Sequence, residues 1–155
     1  MLDKDDQLID DILKKILTSS PGIRYVILMD RNGFTISYSA KFVSSNHALP
    51  IERLGAIGGA VYSAIEEQGA CINYNDVDSL AVGYKKGYIF SISAGEGILS
   101  AITDKNINQG MISNVMKRYR GMLAKILGRY LQQDQSEEIS EELKSLLSES
   151  DLDIA

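Results

Sequence analysis

Three short turns constrain the fold of this chain more than any other feature. Asp30-Arg31-Asn32-Gly33, Lys85-Lys86-Gly87 and Gly95-Glu96-Gly97 each separate two strand-like runs. Asn-Gly is a strong hairpin signal, and links this short leave no room for a crossover, so the strands they join must be antiparallel. Before the first turn, Ile23 to Met29 is apolar on both faces, which predicts a central strand covered on both sides. In that strand, alternation predicts Ile23, Tyr25, Ile27 and Met29 on one face and Val26 and Leu28 on the other. After the turn, Phe34, Ile36 and Tyr38 alternate with Thr35, Ser37 and Ser39, as in a half-buried strand near an edge. Leu80-Val82-Tyr84, Tyr88-Phe90-Ile92 and Ile98 to Ile102 supply three more strands.

Helical periodicity fills the gaps between strands. Leu8, Ile9, Ile12, Leu13, Ile16 and Leu17 recur at helical spacing over residues 5 to 18, and Ser19-Ser20-Pro21-Gly22 stops that helix. Pro50 suits the first turn of a second helix, predicted to end near Gln68 with Gly69 as its stop. From about Asn108, Ile112, Val115, Met116, Tyr119, Leu123, Ile126, Leu127 and Tyr130 form one apolar face of a long helix. A polar stretch, Gln132 to Gln135, then predicts a break before a short amphipathic tail helix carrying Ile139, Leu143, Leu146 and Leu147. The order α-β-β-α-β-β-β-α predicts an α+β domain, a five-stranded antiparallel sheet with helices on both faces, followed by the tail helix.

Charge divides the chain at the same place. From Asp134 onward there are eight acids and one Lys, whereas the preceding residues carry thirteen acids and fifteen Lys plus Arg. The expected organisation is therefore a domain over 1–131 and an acidic tail over 132–155. The near-neutral body lacks the basic balance of a nucleic-acid binder. No apolar run approaches 18 residues, the N-terminus MLDKDDQ is polar rather than signal-like, and the single Cys71 excludes an internal disulfide. Together these point to the cytoplasm.

The second helix contains Gly55, Gly58 and Gly59. A phosphate-binding loop would need its glycines between a strand and a helix start, but here Pro50, Ile51 and Leu54 already begin the helix. On a helical wheel Leu54, Ile57, Gly58, Val61 and Ile65 form a stripe expected to face the core. Gly55, Gly59, Tyr62 and Glu66, with Ser63 beside them, lie about a quarter turn away. Three interior glycines cost roughly 2.5–3 kcal/mol relative to alanine, so a close backbone approach should offset them. Two readings of that approach stand: tight packing within one chain, or a symmetric contact with the same helix of a second copy.

Other chemistry is sparse. His47 is the sole histidine and lies in a polar loop over 40–49, so neither a zinc site nor a His-dependent catalytic set is expected. Cys71 reads as a small structural residue rather than a nucleophile. Asp104, Lys105 and Asn106 are expected to form the turn into the last helix. No catalytic residue, metal ligand or cofactor is expected.

Two stretches carry a resemblance. SSPGIRYVILMDRNGFTIS (19 to 37) is similar to the first hairpin of the Roadblock/dynein light chain family, and ILSAITDKNINQGMISNVMKR (98 to 118) to its last strand, turn and closing helix. The resemblance spans roughly residues 4 to 130 and extends to the Mgl-type regulators of bacteria and archaea. It implies a Roadblock/longin, profilin-like fold in a non-catalytic homodimer or heterodimer of related chains. The middle helices would lie side by side and the third strands would pair edge to edge, with Gly55, Gly59, Tyr62, Ser63, Glu66, Leu80 and Val82 at the interface. It also implies a small Ras-like GTPase as partner, with the chain as scaffold or activator of GTP hydrolysis. Arg53, Ala56, Ala60 and Glu67 are the residues expected to meet that GTPase, and Arg31 is a further surface arginine able to reach it. A structural adaptor subunit without effect on GTP hydrolysis, and a small-ligand sensor, are the alternatives.

Overall fold

In a computed structural model, residues 2–41 and 49–153 are described, with side chains described for 4–41, 49–130 and 138–148. His47 and most of the 40–49 loop lie outside these residues. The elements are α1 (Leu2–Thr18), β1 (Ile23–Asp30), β2 (Thr35–Ala40), α2 (Ile51–Cys71), β3 (Ser79–Gly83), β4 (Gly87–Ala94), β5 (Gly97–Asp104) and α3 (Gln109–Asp153). The strands form one antiparallel sheet in the order β2-β1-β5-β4-β3. This is the α+β architecture expected from the turns. β1 lies inside the sheet and β2 at an edge, matching their two-sided and one-sided patterns.

Helices α1 and α3 cover one face. Ile9, Leu13 and Ile16 of α1 and Ile112, Met116, Leu123 and Leu127 of α3 bury against Val26, Leu28, Phe90, Ile92, Leu99 and Ala101. Helix α2 covers part of the other face, where Ile27, Met29, Ile98 and Tyr62 form a smaller cluster. The predicted phase of β1 needs one correction. Ile23 buries with Val26 and Leu28, not with Ile27 and Met29, because the β1–β5 register shifts between Ile23 and Tyr25. An irregularity of one residue reverses the face of everything before it.

Two helix boundaries also differ from expectation. α2 runs through Gly69 to Cys71; the chain reverses at Asn73 and Asn75, both in the left-handed region at φ 57° and 67°. Asparagine tolerates that region, so the stop is supplied three residues later than the glycine suggested. α3 continues without interruption to Asp153. Its polar stretch contains neither Gly nor Pro, and polarity alone does not end a helix. The acidic tail is therefore helical, but as an extension of α3.

Candidate functional site: an open apolar groove beside α2

The β1–β2 turn determines where α2 sits. Asp30 Oδ1 accepts hydrogen bonds from the backbone N–H groups of Asn32 and Phe34, each at 2.9 Å, and Gly33 adopts φ +87°. This tight turn projects onto α2. A Cβ on Gly59 would lie 2.6 Å from Gly33 Cα, and one on Gly55 would lie 2.9 Å from the Gly33 carbonyl oxygen and 2.7 Å from Thr35 Oγ1. Backbone meets backbone here, with no space for a side chain on either element.

Further contacts clamp the same side of α2. Arg31 bonds to Glu66 Oε1 at 2.9 Å, donates to the Gly95 carbonyl at 3.1 Å, and stands 5.7 Å over the ring of Tyr62. Tyr62 is 1% exposed and donates its hydroxyl to the Val77 carbonyl at 3.2 Å. Burial of this ring holds the phenol above its ordinary pKa.

Several of the expected interface residues have partners within their own chain. Gly55, Gly59 and Tyr62 are buried within their own chain, and Glu66 is paired with its own Arg31. The close approach that the glycines permit is made within the chain, to the β1–β2 turn. Arg31 is likewise engaged within the chain. Ser63 is exposed, and Leu80 and Val82 are half-buried on β3. The stripe expected to face the core is instead partly open: Ile57 is 52% and Val61 is 41% exposed.

The openness follows from widths. Five strands span roughly 20 Å or more, whereas one helix covers about 10 Å. Two helices cover the first face and one covers the second. Drawn onto the β1–β2 hairpin, α2 leaves the β5-β4-β3 half of its face bare. The result is an apolar groove lined by Leu54, Ile57, Gly58 and Val61 of α2 and by Leu80, Val82, Ile89 and Ile102 of the sheet, with a volume of about 120 Å³. The strand β3 forms its outer wall and is the free edge of the sheet. The polar groups on its floor, Ser91 and Ser100, bond to each other at 2.7 Å. Such a groove suits apolar packing and offers little to orient a small polar ligand.

The solvent side of α2 presents Arg53, Ala56, Ala60 and Glu67, all exposed and brought onto one face with Ser63 and Ala64. Asp104 pairs with Arg24 at 2.9 Å, Lys105 stands 4.3 Å over the Tyr88 ring, and Asn108 accepts the Met111 N–H at the start of α3. These are turn and capping contacts. Cys71 is exposed. Among the described residues no group of three or more His, Cys, Asp or Glu side chains is placed to hold a metal ion, and no helix is long and apolar enough to cross a membrane. The groove was missed in the sequence because its residues carry the same helical periodicity as a core. The surplus of apolar residues on α2 over what one half-sheet can bury was the available signal.

No family model matches the chain. Two proteins of Methanocaldococcus jannaschii, uncharacterized proteins MJ0310 and MJ0714, are 28% and 27% identical over 111 and 113 residues, covering 72% and 73% of this chain and 92% and 91% of theirs. Among solved structures, the gliding protein MglB of Thermus thermophilus aligns with a TM-score of 0.71 at 19% identity, over 79% of this chain and 90% of that one. An MglB in a tetrameric arrangement gives 0.72 at 18% identity, over 79% and 89%. A Roadblock/LC7 domain from Streptomyces avermitilis gives 0.65 at 18% identity, over 79% and 97%. The fold is that of the Roadblock/LC7 domains and the MglB proteins.

Proposed function

We propose that this chain is a non-catalytic, dimeric scaffold for a small Ras-like GTPase. The observation that carries the dimer is the bare apolar half-sheet beside α2, bordered by the free edge of β3. A second copy related by a twofold axis would bring its own α2 alongside the first and its β3 edge to the first β3. Each helix then covers apolar surface that one chain leaves open, and a self-complementary patch suits a twofold contact. The interface residues are Ile57, Val61, Leu80 and Val82, with Ser63 near the axis, in place of the buried glycines. The outer stripe of Arg53, Ala56, Ala60 and Glu67 from two adjacent helices would form one shallow platform for the GTPase. The GTPase reading is supported by the Roadblock and MglB likeness; fold alone does not assign it.

Sedimentation of the wild-type chain at micromolar concentration should show self-association, and the pair Ile57→Lys with Val61→Lys should remove the α2 contact while circular dichroism stays unchanged. GTP turnover and binding, measured with the small GTPases of the source organism, test the partner. Binding with a faster turnover supports an activator, and binding at an unchanged rate supports a scaffold. Binding to none of them would refute the GTPase reading while leaving the dimer.

A further inference from the structure

We propose that α3 is a second self-association device, pairing antiparallel with the α3 of another copy so that each acidic tail lies along the other's basic helix face. This contact is independent of the α2 groove, which lies on the opposite side of the sheet.

Helix continuity supplies the first argument. α3 has 45 residues, about 68 Å of uninterrupted helix. A continuous helix cannot fold back onto its own earlier turns, so the tail does not reach the body from which it grows. Yet Ile139, Leu143 and Leu146 on that tail are each more than half exposed. A second chain can cover them.

Charge identifies the partner. Residues 109–131 contain five basic residues, Lys117, Arg118, Arg120, Lys125 and Arg129, and no acid; residues 132–153 contain eight acids and one Lys. The helix is positive in one half and negative in the other; Lys117 and Arg120 pair with Asp78 and Arg129 with Asp5, and Arg118 and Lys125 lie outside these ion pairs. A parallel pair would set like charges together, whereas an antiparallel pair sets each negative half against a positive one.

The spacing fits the same geometry. Arg118, Met122, Lys125, Arg129, Gln132, Ser136, Ile139, Leu143 and Leu146 follow one another at alternating steps of four and three. This stripe runs along one helix face over about four heptads, with Met122, Ile139, Leu143 and Leu146 as its apolar members. Within the body, Arg118, Met122, Lys125 and Arg129 are exposed. An antiparallel register centred on Gln132 places Lys125 opposite Ile139 and Arg118 opposite Leu146, with Met122 one residue from level with Leu143. The aliphatic stems of Arg and Lys can cover the leucines while their charged ends reach the neighbouring acids such as Glu138 and Glu142. Combined with the α2 interface, the arrangement would join more than two chains.

The test uses the full chain in the Ile57→Lys, Val61→Lys background, where the α2 contact is absent. Pairs should remain in sedimentation at micromolar concentration. Leu143→Glu with Leu146→Glu should weaken them about tenfold or more, as should about 0.5 M salt. Register is read by mixing two Cys71→Ser chains, one with Met122→Cys and one with Leu143→Cys. These positions are about 31 Å apart along one helix, so a disulfide between them must join two chains. A cross-link formed only in the mixture supports the proposal. Single chains throughout, pairs insensitive to salt and to both glutamates, or Leu143→Cys chains linking to themselves would each overturn it.

Discussion

Gly59→Ala isolates the contact that positions α2. In an ordinary helix interior, exchanging Gly for Ala gains up to about 1 kcal/mol, because alanine loses less backbone freedom on folding. At position 59 the new Cβ would lie 2.6 Å from Gly33 Cα and 2.8 Å from Gly33 N. Neither atom is the end of a flexible side chain. The turn is held by Asp30 and by the Arg31–Glu66 pair, so about 1 Å of separation has to come from a braced hairpin. Overpacking of this sort costs about 1–3 kcal/mol, and a backbone-to-backbone clash belongs in the upper part of that range. Subtracting the helix gain leaves a net loss of about 1–2 kcal/mol. Gly121→Ala is the control: it lies within α3, and an added Cβ meets nothing within 4 Å. It should stabilise by up to about 1 kcal/mol. Urea unfolding of both variants, in dilute solution and with unchanged slope, reads the difference in sign. If Gly59→Ala stabilised the protein as Gly121→Ala does, the glycine contact would have no role in holding α2 in place.

Two further predictions concern titration. Tyr62 has its phenol pKa raised by burial, so its neutral form is favoured in the folded chain; the associated stability is complete below the unfolded phenol pKa of about 10 and is lost as pH rises through the folded value. Tyr62→Phe should flatten the fall in unfolding midpoint above about pH 10, and an unchanged slope would discount this ring as its source. Asp78 is held below the ordinary carboxylate range, first by its hydrogen bond to Arg120 and then by Lys117. Its contribution is present above the unfolded carboxylate pKa and disappears as pH falls through the lower folded one, so Asp78→Asn should matter slightly at neutral pH and not in strong acid or high salt. A difference from wild type that persisted in strong acid would show that the carboxylate charge is not what acts.

The topology was legible because short turns leave no alternative to antiparallel pairing, and because β1 and β2 carry opposite patterns of two-sided and one-sided apolarity. Ile23 was misplaced because a register shift leaves no mark in the residue types around it. The glycines announced a close approach but could not name the approaching surface. Gly33 lies more than twenty positions away, and its contact with Gly55 and Gly59 requires knowing that the hairpin tip folds over α2. Leu54, Ile57 and Val61 read as core because periodicity reports an apolar face without reporting how much sheet remains to cover it. The unbroken α3 was available in the sequence: residues 131–153 contain no Gly and no Pro, and Gln, Glu, Lys and Leu all favour helix.

The glycines and the groove are one design. A side chain at position 55 or 59 would push α2 away from the hairpin and toward the middle of the sheet, over Ile89 and Ile102. That shift would close the groove with the chain's own helix and cover the surface proposed for a second copy. Small residues on the hairpin side thus keep large residues on the other side open. Substitutions on the two sides of α2 should therefore separate by mechanism. Gly59→Ala weakens the fold of a single chain and disturbs association only as a consequence. Val61→Lys, made on the open side, should leave the unfolding midpoint of dilute chains almost unchanged and act on association alone. The glycine surface, expected from sequence to lie between two chains, instead sets where the open apolar side of α2 stands.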